Sequence, residues 1–307
     1  MKISIIIPVY NEEESLNELY KRIKKNVKGK YSYEIIFIDD GSTDNSFRVL
    51  LTLKKKDKNI AIIKMKRNFG KSQALDAGFK KARGEYIITM DADLQDEPDE
   101  IPELINQLNR SSMDAISGWK FKRHDPFIKK VTSRLFNFVV RSLTGVKLHD
   151  MNCGLKIYKK IAIQDLKLYG DMHRFIPVLL RINGYHCGEM KVKHNPRKYG
   201  KTKYGPSRFL IGLLDFFTVI FLSKFMKKPL HLFGTVGLIC ELIGGIAAMY
   251  IALLKILYGT IQHRLPLLNF GVLLIIVGIQ FISIGLLGEL LVNRETAKKD
   301  YHIDKII

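Results

Sequence analysis

Four short apolar runs open the chain, each closed by a polar cluster. ISIIIPVY leads into NEEE, YEIIFID into DGSTD, IAIIKM into KRNFGK, and EYIITM into DADLQD. Runs of about four to eight apolar residues without alternation fit strands buried on both faces. The segments between them space their apolar residues as helices do, as in ESLNELYKRIKKN. Strands alternating with helices predict a mostly parallel α/β sheet of the Rossmann-like kind, covered on both sides. Ligands bind such sheets beyond the carboxyl ends of the strands, and all four polar clusters fall there. One shared site is the expectation.

The pattern changes after Tyr199. PSRFLIGLLDFFTVIFLSKFMKK is densely apolar, but Asp215 interrupts it short of the about 20 residues that a membrane span needs. It reads as a helix in the membrane interface, anchored by Arg208, Lys224, Lys227 and Lys228, or as a buried core helix. Two longer runs start at Leu230 and Leu267, each long enough to span a bilayer, and KILYGTIQHRLP between them leaves room for little more than a turn. They predict a transmembrane hairpin. Lys224, Lys227 and Lys228 before it and Arg294, Lys298 and Lys299 after it predict cytoplasmic flanks, although Lys255 and Arg264 dilute the asymmetry. The expected organisation is an α/β domain over 1–205, an interfacial helix over 206–228, the hairpin over 229–292 and a tail over 293–307. The α/β domain and both termini are expected in the cytoplasm. Glu289 lies near a cytoplasmic end; Glu241, in mid-span, is expected at an interhelical or oligomer contact.

Composition sharpens this in three ways. At 307 residues and 47% hydrophobic, the chain can bury a real core. A net charge of +20 asks for an anionic partner: nucleic acid, a phospholipid surface or a phosphorylated substrate. Three cysteines without CxxC spacing argue against a disulfide framework or a structural zinc, and the N-terminal apolar stretch is too short for a signal-peptide core.

The polar clusters carry the candidate chemistry. Asp91 and Asp93, two residues apart at a strand end, can aim two carboxylates at one spot. Hard oxygen ligands with open positions suit Mg²⁺ or Mn²⁺, which bind through one or two carboxylates plus substrate phosphates; the alternative is an ordinary acidic loop. In DDGSTD, Gly41 makes a turn and Ser42 and Thr43 are candidate caps for FRVLLTLKK, which leaves the doubled Asp39-Asp40 unexplained. A carboxylate at such a strand end can accept hydrogen bonds from a base or ribose. NFGKSQALDAG opens a helix with Lys71 and Ser72, favourable to anions, or is simply a loop and an amphipathic helix.

Taken in order, PVYNEEE, DDGSTD, NFGKSQALDAG, DADLQDEP, DMNCGLK, DMHRFIP, RKYGKTKYG and GLLGEL resemble the motifs of polyprenyl-phosphate glycosyltransferases. These are membrane-associated relatives of dolichol-phosphate mannose synthase with the inverting GT-A fold. The two-helix tail is similar to the bacterial subgroup that loads sugars on undecaprenyl phosphate. The resemblance implies nucleotide binding by Pro8, Tyr10, Glu12 and Asp39, metal and diphosphate binding by Asp91, Asp93 and Gln95, and donor-phosphate contact by Arg197. It places Lys201 and Lys203 in a loop over the donor. It implies Arg123 and Arg134, with Lys120 and Ser133, at the acceptor phosphate.

Physics supplies part of the acceptor reading independently. A polyprenyl phosphate needs a basic pocket at the bilayer surface, and GWKFKRHDPFIKKVTSRLFNF offers six cations among aromatics; the bland alternative is a solvated basic face. A phosphate monoester is already ionised, so no strong general base is required. Asp171 therefore reads as a positioning residue or a cap for HRFIPVLLRI. The expected reaction is metal-dependent, inverting transfer of a hexose from a nucleotide-diphosphate sugar to a membrane polyprenyl phosphate by a homo-oligomeric membrane enzyme. Two rivals stand beside it: a transferase acting on a sugar hydroxyl, against which the lack of a QxxRW motif speaks, and a non-enzymatic nucleotide binder. Nucleic acid is not an expected partner, because lipid phosphate explains the basic stretches equally well.

Overall fold

The computed structural model describes residues 2–121, 141–142, 144–146, 148–166, 168, 170–196, 198–199, 218, 221, 225, 228–261 and 263–296. The chain forms two compact units, Met1–Val219 and Ile220–Ile307. In the first, strands β1 Lys2–Val9, β2 Ser32–Asp39, β3 Ile60–Lys64, β4 Tyr86–Thr89, β5 Ala115–Lys120, β6 Lys156–Lys159 and β7 Cys187–Val192 build one sheet, ordered β3-β2-β1-β4-β6-β5-β7. The described helices of this unit are α1 Leu16–Val27, α2 Ser46–Lys56, α3 Lys71–Lys81, α4 Ile101–Arg110, α5 Lys160–Ile163 and α6 Ile176–Ile182.

The four apolar runs are β1 to β4, all parallel, as their pattern predicts. β6 alone runs antiparallel, between β4 and β5. Burial on both faces explains the unbroken apolar runs. On one side Ile3, Ile5, Ile7 and Val9 of β1 pack with Leu19 and Ile23 of α1 and Leu104 and Leu108 of α4. On the other, α3 lies so close that a Cβ on Gly78 would stand 2.5 Å from Ile6 Cγ2. That contact fixes the height of α3, and so of Lys71 and Ser72 at its start.

Among its described residues the second unit holds a pair of long helices, α7 Pro229–Tyr258 and α8 Leu265–Thr296. Both are long and apolar enough to cross a membrane, and only 17% of either span's apolar stretch is buried. Leu238, Leu242, Ile246, Leu273 and Leu287 stand exposed, which suits lipid and not the interior of a soluble domain. α7 ends at Gly259, whose left-handed φ of 70° closes the turn with an N–H to the Lys255 carbonyl at 3.0 Å. The helices touch through glycine. A Cβ on Gly237 would sit 2.7 Å from the Gly278 carbonyl oxygen, and one on Gly244 would sit 2.6 Å from that of Gly271. Glu241 lies in the same seam, its Cγ 2.7 Å from the Cβ position of Gly278, so of the two expected contacts the interhelical one is present. Glu289 accepts the Leu230 N–H at 3.4 Å and so covers the start of α7 from across the hairpin. The interfacial helix expected over 206–228 falls outside the described residues except Thr218, Phe221, Phe225 and Lys228.

Candidate active site

The loops after β1 and β2 are stitched together by side chains. Asn11 donates its N–H to Ser42 Oγ at 3.0 Å and accepts the Thr43 N–H on Oδ1 at 2.8 Å. Glu12 donates to Ser46 Oγ at 2.8 Å, and Glu13 exchanges bonds with Asp44 and Asn45. Ser42 and Thr43 thus do not cap α2. Its N-cap is Asn45, without a side-chain bond, because both hydroxyl residues are drawn to the neighbouring loop. Gly41, at φ 70°, has no alternative: a Cβ there would meet the Arg67 carbonyl carbon at 2.4 Å. This stitching holds the segment of Pro8, Tyr10 and Glu12 beside Asp39.

The doubled aspartate divides its work. Asp40 accepts the Phe69 and Gly70 N–H groups at 2.8 and 2.9 Å and so sets the loop that starts α3. Burial raises its pKa against those two bonds. Asp39, fully buried, spends one oxygen on the Ser42 N–H at 3.1 Å, and its Oδ2 has no partner among the described residues. A buried acceptor left open at a strand end fits a ligand donor such as a base or ribose.

Beyond β4, DADLQD turns sharply through Leu94, whose positive φ of 60° matches that of Asn11 at 52°. Two strained non-glycine residues in the two loops that border the site are a mark of functional geometry. Asp91 pairs with Lys71 at the start of α3. Burial alone would raise the Asp91 pKa, but Lys71 and Lys120 beside it bring the carboxyl down to about 2. Asp93 is buried and accepts the Gln95 N–H at 3.2 Å; Gln95 in turn bonds Asn195 in both directions. Gly154 makes room for the cluster: a Cβ there would stand 2.6 Å from oxygens of both Asp91 and Asp96.

Asp96, Glu97 and Asp99 lead into the 3-10 turn Pro98–Glu100 before α4, with Glu97 at its N-cap and Asp99 in its first turn, and they also make longer-range contacts. Asp96, 2% exposed, accepts the Asp91 N–H at 3.3 Å and faces Lys120 at 3.3 Å. Glu97 binds Arg22 and Asn195, while Asp99 accepts from Asn26. Lys120, expected at an acceptor phosphate, pairs with the acidic loop through Asp96. Burial works against its charge, yet Asp96 and Asp91 raise its pKa above the ordinary lysine value. Asp171 begins the 3-10 turn Met172–Phe175 without capping it and pairs with Arg174 at 2.8 Å. Arg123, Ser133, Arg134, Arg197, Lys201 and Lys203 lie outside the described residues.

The motifs DMNCGLK and DMHRFIP contain Gly154, Lys156 and His173, to which the sequence assigned no role and which border the pocket beside Lys71. The two motifs were the cue; what they lacked was the pairing of β6 with β4 that brings them beside Lys71. The acidic loop offers hard carboxylates of the kind that suit a divalent cation, and Asp91 already holds a cationic group; no group of three or more His, Cys, Asp or Glu that could hold a metal stands among the described residues.

Comparisons with known proteins bear on this geometry. Residues 4–167 match the model of Glycosyl transferase family 2. The chain is 35% identical, over its whole length and 93% of the relative's, to the dodecaprenyl-phosphate galacturonate synthase of Rhizobium johnstonii. It is 33% identical, over its whole length and 94% of the relative's, to the undecaprenyl-phosphate 4-deoxy-4-formamido-L-arabinose transferase of Proteus mirabilis. The chain belongs to glycosyl transferase family 2. Among solved structures, glucosyl-3-phosphoglycerate synthase from Mycobacterium tuberculosis with Mn²⁺ and UDP-glucose superposes with a TM-score of 0.54 at 19% identity, over 70% of this chain and 78% of that one. The same enzyme with Mg²⁺ and UDP gives 0.55 at 15% identity, over 72% and 79%. These neighbours establish the GT-A fold. The glycosyltransferase seen here thus combines a GT-A unit with two helices of membrane-spanning length, and the resemblance read from its motifs holds at the level of the family.

Proposed function

We propose that this glycosyltransferase moves a sugar from a nucleotide-diphosphate donor to the phosphate of a membrane polyprenyl phosphate. The observation that carries the reading is the end-to-end likeness to two enzymes named for polyprenyl-phosphate products, across both units of the chain. The geometry supports it from the donor side. Asp39 offers an open buried acceptor to a nucleoside, and Asp91 and Asp93 would hold a divalent cation, which when bound supplies positive charge for the departing diphosphate. Lys71, paired with Asp91 at the start of α3, would add a second positive charge for the donor's phosphates.

The acceptor needs no base, since its phosphate carries the attacking oxygen already deprotonated near neutral pH. That oxygen forms the new bond to the anomeric carbon from the face opposite the leaving group. The old bond breaks with its electron pair going to the nucleoside diphosphate, and configuration inverts. Arg123, Arg134 and Ser133 are proposed to hold the acceptor phosphate, and Arg197, Lys201 and Lys203 to close over the donor. The catalytic unit and both termini are proposed to face the cytoplasm.

The test is a donor screen. Purified protein with Mg²⁺ or Mn²⁺ is offered UDP- and GDP-sugars and a UDP-uronic acid against undecaprenyl phosphate, with products separated as lipid-linked sugars. A sugar-phosphate lipid from one donor is expected; transfer only to a glycolipid hydroxyl would replace the proposal with that chemistry.

A further inference from the structure

Thr89 of β4, Lys156 of β6 and Ser117 of β5 stand opposite one another in register across the middle of the sheet. Their exposures are 4%, 4% and 3%. Both hydroxyls are occupied: Thr89 donates to the Gly154 carbonyl at 2.9 Å, and Ser117 faces the Asp150 carbonyl at 3.4 Å. The Lys156 ammonium lies in the fields of Asp150 and Asp91 as well as that of Lys71. Burial, helped by the nearby charge of Lys71, brings its pKa down to about 8. Burying an ammonium so deeply costs stability, and an apolar side chain of equal length would serve the core better.

Lys156 borders a pocket it shares with Lys71, Asn152, Gly154 and His173. The histidine is fixed. Ser72 Oγ accepts the His173 backbone N–H at 3.0 Å and lies 3.0 Å from Nδ1, so one hydroxyl holds both the backbone and the ring of His173. Burial and Lys71 keep the ring neutral. Two lysines and a histidine therefore line one small space. Its free volume of about 10 Å³ admits a single oxygen-sized group. Lys71, by pairing with Asp91, joins this space to the acidic loop.

We infer that Lys156 binds a phosphate oxygen of the reactants, its ammonium completing an oxyanion subsite with Lys71 and the imidazole of His173. The reactants named in this inference rest on the proposed transfer. Both bring phosphate, and the link through Asp91 places the donor's diphosphate first.

The test uses the full chain in detergent with Lys156→Met and Lys156→Arg, and reads melting temperature, affinity for whichever of UDP and GDP the wild type binds in the presence of Mg²⁺, and the apparent KM for undecaprenyl phosphate. Lys156→Met is expected to melt at or above the wild-type temperature and to bind the nucleotide at least 10-fold more weakly, with Lys156→Arg between the two. A raised KM for the lipid with unchanged nucleotide affinity assigns the oxygen to the acceptor. Unchanged affinity and unchanged KM in both variants, at any melting temperature, overturn the inference. Lys156→Gln carries the same readouts if Lys156→Met does not fold. Nucleotide affinity is measured without acceptor, so a wild type that moves no sugar to lipid phosphate defeats the proposed function and leaves the subsite to its own result.

Discussion

In the α/β unit Gly78 lets a helix settle onto the side chains of Ile6 and Ile38, whereas in the hairpin Gly237 and Gly244 let one settle onto the carbonyls of Gly278 and Gly271. The difference follows from the surroundings. Water drives apolar side chains together, so glycine there serves to bring a helix down on large residues. Between helices long enough to cross a bilayer, where lipid is as apolar as leucine, close backbone approach supplies the attraction instead. The glycines keep step for it: Gly237 and Gly244 are seven residues apart, as are Gly271, Gly278 and Gly285. Charge follows the same division. The α/β unit answers buried acids with partners, as Asp57 does with Tyr20 and Lys24, while Glu241 sits in the hairpin seam with no hydrogen bond among the described residues.

The contrast can be broken most severely at the acidic loop. Asp91→Asn and Asp93→Asn should each lower transfer by about 10²- to 10³-fold, the scale of losing one aimed electrostatic contact, while leaving membrane insertion intact. Steady-state rates and carbonate extraction would check both halves. In the hairpin, Gly244→Leu must displace the Gly271 carbonyl, and overpacking of this kind costs about 1–3 kcal/mol. Cross-linking of cysteine pairs placed along α7 and α8 should lose its register, with the melting of the α/β unit unchanged.

Lys156 sharpens the comparison by pH. Its pKa falls from the ordinary lysine value to about 8 on folding, so between about pH 8 and 10.5 the unfolded chain binds the extra proton. Stability should therefore rise with pH across that window, by about 3 kcal/mol at most. Cys153, Lys71, Asp150 and Asp91 face the same amine and titrate, or hold their charge, around it, so the slope lost in Lys156→Met is the quantity to measure by denaturant melts. Glu289→Gln should have the smallest effect. Loss of its charge at the start of α7 costs about 0.3–1 kcal/mol, visible as a slightly earlier thermal transition in detergent.

Much of the donor half was legible because each strand is an unbroken apolar run with its chemistry attached at the end. β5, β6 and β7 were not, since AISGWK, KIYK and CGEMKV mix charge and glycine into short segments that only tertiary pairing makes extended. The motif DMNCGLK displayed Gly154 and Lys156, but their place beside Asp91 and Lys71 depends on that same tertiary pairing. The doubled aspartate was visible, but its division of labour depended on where the Phe69 and Gly70 amides point. Ser42 and Thr43 misled because a hydroxyl before a helix normally caps it, and here the loop after β1 competes successfully.

The reversal of β6 also dictates an order of assembly. β4 ends at Thr89, yet the strand that pairs with its open side starts at Lys156, and β5 is made before that partner exists. During synthesis the β1–β4 half can therefore collapse early, while its β4 edge waits with unpaired amides until the later segment emerges. Closing so wide a gap in sequence is slow. A ribosome stalled between those two strands would expose a sticky sheet edge beside a half-built pocket, so this stretch of translation is where a chaperone would be most useful.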